Sequence, residues 1–177
     1  MQIEFNRIWA MPNRWTFKIK PIAELISRYV EGDWIDPFAG YNSPATITND
    51  INPDTPAMYH MKSPDFVNHV VNIIRPESLN GCLFDPPYSL RQLKECYQSH
   101  GTDISYNDTV KFYSDMKNKI SNLIKPGGHC ISFGWNSTGF GKSRGFEIVE
   151  ILLVPHGGNR YDTIVTVEKK VQEIRDD

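Results

Sequence analysis

Leu83-Phe84-Asp85-Pro86-Pro87-Tyr88 is an apolar run that stops at a carboxylate, two prolines and an aromatic ring. Opened by Gly81, it reads as a buried strand that delivers Asp85 and Tyr88 to its carboxyl end. Ligands bind at that end in open α/β sheets, so the stretch sets both a fold class and a place to look for chemistry. The prolines donate no backbone hydrogen bonds and hold the chain extended, which leaves the carbonyls beside Asp85 to accept from another group. An exocyclic NH2 group meets that need. A proline turn ending a strand beside an incidental carboxylate is the other reading of these residues, and the rest of the chain has to decide.

Upstream, turn chemistry from Pro12 gives way to a helix at Pro21, a favoured first-turn residue, with Ile22, Leu25, Ile26 and Tyr29 at helical spacing. Gly32 ends that helix, and Trp34 to Phe38 is a short strand running into Asp36-Pro37-Phe38-Ala39-Gly40. A further strand spans Ala45 to Asn49 and ends at Asp50. A third is expected over Ala57 to Met61. Ser63-Pro64-Asp65 then opens a helix with Phe66, Val67, Val70 and Ile74 on its apolar face.

Downstream, Ser89 to Asp108 lacks periodicity and reads as a loop or lid beside the proposed site. Thr109 to Ile124 is an amphipathic helix with Val110, Tyr113, Met116, Ile120 and Leu123 at helical spacing, stopped by Lys125-Pro126-Gly127-Gly128. His129 to Trp135 is the fifth strand. Phe146 to Val154 and Tyr161 to Glu168 form a hairpin across His156-Gly157-Gly158-Asn159-Arg160. Gly141-Lys142-Ser143 follows a strand as in a phosphate-binding loop. However, Asn136 stands where the first glycine is required, and a β-rich segment follows in place of a helix, so nucleotide hydrolysis is set aside.

Asp85-Pro86-Pro87-Tyr88 resembles the catalytic motif of S-adenosylmethionine-dependent methyltransferases that act on amino groups of nucleobases, above all N6 of adenine. The run Lys20-Pro21-Ile22-Ala23-Glu24-Leu25-Ile26, followed by Gly32 to Gly40, is similar to motifs X and I of those enzymes, where a Lys-Pro helix precedes an Asp-Pro-Phe-x-Gly loop. This two-part match is more specific than either half. The resemblance covers nearly the whole chain. It implies one domain over residues 1–177 and an α/β, Rossmann-like class I sheet of about seven strands, with a C-terminal antiparallel hairpin. Asp36 and Asp85 should then end neighbouring strands.

The same resemblance assigns S-adenosylmethionine as cofactor, held by Lys20, Asp36, Pro37, Phe38, Ala39 and Gly40. Asp50 corresponds to the acidic residue that accepts the ribose hydroxyls, and a turn-forming Asp-x-Asn-Pro is the equal alternative at that position. Asp85, Pro86, Pro87 and Tyr88 are implied as catalytic, with Asp85 and the Pro86 carbonyl accepting the amino hydrogens and Tyr88 stacking on the base. Trp135, Asn136, Asn159 and Arg160 are the substrate-contact candidates, a plain turn being the other reading of the last two. After Gly40 the chain departs from the family pattern. Only about ten positions separate Gly40 from Asp50, whereas a parallel crossover needs about a dozen residues or more. The first crossover helix must therefore be reduced to a tight loop, or the next strand displaced.

Composition bounds the rest. A 177-residue chain, 40% hydrophobic and 12% aromatic, suits one domain with a real core. No stretch is long and apolar enough to span a membrane and the N-terminus lacks a signal-peptide core, so a cytoplasmic location is expected. Three cysteines, Cys82, Cys96 and Cys130, show no paired spacing, and the histidines show no ligand spacing, so no metal is expected. A net charge of −2 gives no overall attraction to nucleic acid. With no segment left for a separate target-recognition domain, DNA is expected to bind weakly, as a short or single-stranded target. A second copy or a partner subunit would otherwise supply the missing surface. RNA or another amino or amide group is the alternative substrate. A non-catalytic protein of the same fold, binding nucleic acid or a partner, is the alternative class.

Overall fold

The computed structural model describes residues 2–87, 106–158 and 160–171, with residues 106–111 described by their backbone alone. In chain order these hold β1 (Glu4–Arg7), α1 (Lys20–Tyr29), β2 (Trp34–Asp36), β3 (Ile47–Thr48), α2 (Ser63–Ile73), β4 (Leu79–Phe84), α3 (Tyr106–Leu123), β5 (Ile124–Gly134), β6 (Phe146–Val154) and β7 (Thr163–Lys170). They form one 7-stranded sheet in the order β1-β6-β7-β5-β4-β2-β3. From β3 to β5 all neighbours are parallel. Strand β7 is antiparallel to both β5 and β6, and β1 is parallel to β6. Asp36 closes β2 and Asp85 follows β4, and those strands are neighbours, as the sequence led us to expect.

The strand number agrees with expectation but the membership differs. Ala57 to Met61 is no strand; it contributes a single bridge, from Tyr59 to Asn49. The seventh place is taken by β1 at the sheet edge, where three of four residues are exposed and no apolar alternation marks a strand. Strand β2 stops at Asp36 because Pro37 has no donor and the Phe38 N–H turns back to the Asp36 carboxylate at 2.9 Å. Strand β5 begins at Ile124 rather than His129. Leu79 pairs with Ile124 and Gly81 already pairs with His129, so Lys125 to Gly128 is taken up as an irregularity inside the strand. The lid expected over Ser89 to Asp108 lies outside the described residues up to position 105, and its last residues open α3.

Alternation on the central strands divides the core between two faces. Leu83, Ile131, Phe133, Val165 and Val167 pack with Ile22, Leu25 and Ile26 of α1. Cys82, Phe84 and Cys130 pack on the other face with Phe66, Val67 and Val70 of α2 and Met116, Ile120 and Leu123 of α3. Helix α1 is also tied to the sheet by charge. The buried Glu150 carboxylate accepts from Arg28 at 2.6 Å and from the Tyr29 hydroxyl at 2.7 Å. Burial, reinforced by that carboxylate, pushes the Tyr29 phenol up to about 12.

Gly81 is required by close approach. A Cβ there would lie 2.5 Å from both the His129 carbonyl oxygen and the Trp34 ring, so the ring lies where the side chain would be. Gly81→Ala should therefore destabilise the protein by about 1–3 kcal/mol through overpacking against backbone. Chemical denaturation should show a lower midpoint with an unchanged slope.

Candidate active site

The turn after β2 is built almost entirely from buried polar contacts. Asp36 is fully buried; one carboxylate oxygen accepts from the Phe38 N–H and the other from the Ser43 hydroxyl at 2.7 Å. Asn49 is also fully buried, and its amide donates to the carbonyls of Pro37 and Met61 and accepts from the Met61 N–H. The Asn49 carbonyl takes the Ala39 N–H at 2.9 Å, and Ser63 adds a hydroxyl bond to the Pro37 carbonyl at 3.2 Å. Asp50 accepts the Gly40 N–H at 2.9 Å on one oxygen and the Asn52 N–H at 2.8 Å on the other. The second bond is the turn that Asp-x-Asn-Pro encodes. The first fixes the glycine loop to β3. No helix separates β2 from β3, and this network takes its place.

Three carboxylates thus gather at the carboxyl ends of neighbouring strands. Burial pushes the Asp36 carboxyl up to about 7. Its bonds to Ser43 and Phe38 oppose the shift, while the charges of Asp85 and Asp50 add to it.

Two clefts meet at the segment after β4. The first, about 180 Å³, is lined by Phe38, Ala39, Gly40 and Asp85, and closed by Arg14 to Phe17 and by Tyr41 and Asn42. The second, about 190 Å³, lies between Pro86–Pro87 and Trp135–Asn136, with Tyr113, Lys117 and Ser132 beneath. The Pro87 carbonyl accepts from the Tyr113 hydroxyl at 3.3 Å. Trp135 stacks on Tyr161 with ring centroids 4.4 Å apart.

The sequence-derived candidates are therefore distributed as follows. Phe38, Ala39, Gly40 and Asp85 share one cleft, and Pro86, Pro87, Trp135 and Asn136 share the other. Asp36 and Pro37 are buried, and the half-buried Asp50 braces the loop of the first cleft through the Gly40 N–H without being among its lining residues. The Lys20 side chain is 87% exposed, facing Glu24 at 4.0 Å, and does not line the cleft. Arg160 is exposed and lines neither cleft. Tyr88 and Asn159 lie outside the described residues. Reading the sequence missed Arg14, Trp15 and Phe17, although an aromatic cluster just before the Lys-Pro helix was visible. It also missed Lys117, a cation at an apolar position of α3 between Tyr113 and Ile120.

The phosphate-loop likeness of Gly141-Lys142-Ser143 is resolved by an internal anion. The Glu168 carboxylate accepts the N–H groups of Phe140 and Gly141 at 2.5 and 2.8 Å, so those amides are already taken. A short 3-10 turn, Lys142–Arg144, follows in place of a helix. Among the described residues no cluster of His, Cys, Asp and Glu could hold a metal ion, and no helix is long and apolar enough to cross a membrane.

No protein-family model and no curated protein matches the sequence. Solved structures do match. One is 1,6-didemethyltoxoflavin-N1-methyltransferase of Burkholderia thailandensis, bound to 1,6-didemethyltoxoflavin and S-adenosylhomocysteine. It is 11% identical at a TM-score of 0.52, over 85% of this chain and 76% of that one. TrmN of Thermus thermophilus is 17% identical at a TM-score of 0.53, over 89% of this chain and 50% of that one, so the chain spans half its length. A S-adenosylmethionine-dependent methyltransferase of Methanosarcina mazei is 11% identical at a TM-score of 0.50, over 84% and 98%. At these identities the likeness is one of fold. The chain has the Rossmann-like α/β sheet of S-adenosylmethionine-dependent methyltransferases, with its antiparallel C-terminal hairpin.

The raised Asp36 carboxyl gives a test of the loop's electrostatics. A group that holds its proton more tightly when folded contributes stability that is fully present below the ordinary carboxylate range near 4. That contribution is lost as pH rises through about 7. Asp36→Asn can keep the Phe38 bond and donate its NH2 to the Ser43 oxygen, without the charge. Denaturation of the two proteins from pH 5 to 8.5 should show the wild type losing about 2–3 kcal/mol relative to the variant as pH rises.

Proposed function

We propose that this protein transfers a methyl group from S-adenosylmethionine to an exocyclic amino group of a nucleobase, N6 of adenine in DNA. The observation that carries the reading is that consecutive residues line two adjoining clefts, Asp85 the one against the Phe38–Gly40 loop and Pro86–Pro87 the one against Trp135–Asn136. Direct transfer needs the amino nitrogen and the methyl group in contact, so donor and acceptor spaces must open to each other where the two clefts adjoin, at this segment.

The residues of the first cleft fit the cofactor. It carries a cationic sulfonium and no phosphate, and the loop offers no helix N-terminus for an anion. It offers instead the acidic surroundings of Asp36, Asp50 and Asp85. Phe38, Ala39 and Gly40 would flank the cofactor, and each Asp50 oxygen retains a lone pair for a ribose hydroxyl. When bound, S-adenosylmethionine supplies the methyl group on a positively charged sulfur.

In the second cleft the base is sandwiched between the proline segment and Trp135, with Asn136 at the edge. Tyr88 is assigned base stacking by its place in the motif. Asp85 and the Pro86 carbonyl accept the two amino hydrogens, which localises the nitrogen lone pair and points it at the methyl group. This is positioning and electrostatic stabilisation, with no covalent intermediate. A base inside a duplex cannot reach this pocket, so the target is single-stranded or flipped out. The net charge of −2 fits weak DNA binding, with a further subunit or partner supplying any longer recognition surface. Asn159 and Arg160 are assigned to substrate contact by their place in the sequence, and Arg160 lines neither cleft.

The test incubates wild type and Asp85→Ala with labelled S-adenosylmethionine and duplex DNA, single-stranded DNA or RNA, and identifies the modified base by mass spectrometry. N6-methyladenine in single-stranded DNA from wild type, reduced about a hundredfold or more in the variant, is the expected result. Label entering protein, or entering nucleic acid equally with both, would overturn the reading.

A further inference from the structure

Beneath the proline segment lie two polar groups for which methyl transfer itself has no use. Ser132 is 8% exposed and lines the second cleft, and its Oγ makes no hydrogen bond. Buried hydroxyls are almost always paired, and an unpaired one costs stability. Lys117 lines the same cleft. Its ammonium lies 5.1 Å from the Phe84 ring centre and 5.6 Å from that of Phe140. It donates to the Gly139 carbonyl at 2.6 Å. An ammonium has three donors, so that bond does not exhaust it.

Register places the two groups together. Ser132 is the cross-strand partner of Phe84, the residue immediately before Asp85, and the Lys117 ammonium lies over the ring of that same Phe84. Both therefore sit one residue below the point where the amino group is to be held. Burial lowers the Lys117 affinity for its proton, while the nearby Glu168 charge sustains it. A half-buried cation on the apolar face of a helix is costly, and its contacts have to offset that cost.

We infer that Lys117 and Ser132 form a donor floor in the acceptor pocket, which reads a ring nitrogen of the base whose amino group is held by Asp85. The inference rests on the reading of the second cleft as the acceptor pocket. Adenine presents ring nitrogens as hydrogen-bond acceptors on its edges, so the floor selects bases by an acceptor atom in addition to the amino group. A site built to bond a polar atom rejects the analogue that lacks it, because its own groups are then left unpaired. Thr166 offers the competing account. It is the cross-strand partner of Ser132 and its Oγ1 is likewise buried without a partner, so a water bridging the two hydroxyls would satisfy both without any ligand.

The experiment measures binding and methylation of short single-stranded DNA carrying one adenine, 1-deazaadenine or 7-deazaadenine, by wild type, Lys117→Met and Ser132→Ala. Wild type should prefer adenine over one deaza analogue by about tenfold or more. Lys117→Met should abolish that preference and Ser132→Ala should reduce it severalfold. Ser132→Ala removes only an unpaired hydroxyl and should melt at or above the wild-type temperature, which guards the test against a Lys117 variant that fails to fold. Equal binding of all three oligonucleotides by wild type, or a preference unchanged in both variants, would overturn the inference. Methylation of the three alike keeps the methyltransferase reading and discards the donor floor. A preference in binding without methylation keeps the floor and discards catalysis.

Discussion

The short connection between β2 and β3 constrains everything near the site. Parallel neighbours ordinarily need a crossover of about a dozen residues or more, most often with a helix. Here residues 37–46 make the connection without one. A helix satisfies its own backbone groups, but this loop cannot, so buried side chains do so for it: Asn49 takes the carbonyls of Pro37 and Met61, Asp36 takes the Phe38 N–H, and Asp50 takes the Gly40 N–H. The cost of burying Asp36 is visible in its raised carboxyl. What results is a fixed glycine loop whose polar surroundings are acidic, facing a cleft.

The central strand then divides the chemistry. Side chains alternate along β4, and just beyond its end Asp85 lines the first cleft while Pro86 and Pro87 line the second. The same alternation places Phe84 and Ser132 together under the second cleft and leaves Lys117 to enter from α3. The two clefts are thus neighbours at a proline-stiffened segment. The rival role of Gly141-Lys142-Ser143 is closed by Glu168, which occupies the amides that a phosphate would need.

Much of this was legible in the sequence wherever a local pattern carried it. The periodicity of α1, α2 and α3, the apolar run of β4 and the hairpin of β6 and β7 all report burial directly. So did the ten-residue squeeze after Gly40, which required a loop where a helix is usual. What could not be read depends on partners distant in sequence. Strand β1 exists because β6 offers it an edge, and its own residues are exposed. Ala57 to Met61 has strand-like residues but only one bridge, since Asn49 draws the Met61 backbone into the loop network instead. Lys20 follows a motif in sequence yet points to solvent. Lys117 is a cation at an apolar position of α3 that the sequence reading passed over, and only the fold sets it at the second cleft.

The central claim is that a loop bolted by side chains holds the cofactor as a helix-backed loop would. Calorimetric titration of S-adenosylmethionine into wild type and Asp50→Ala addresses it most directly. The account predicts single-site binding by wild type, weakened in the variant by about 1.5–3 kcal/mol, the worth of hydrogen bonds to a charged acceptor. No binding heat in the wild type, at concentrations that saturate an ordinary cofactor site, would contradict it.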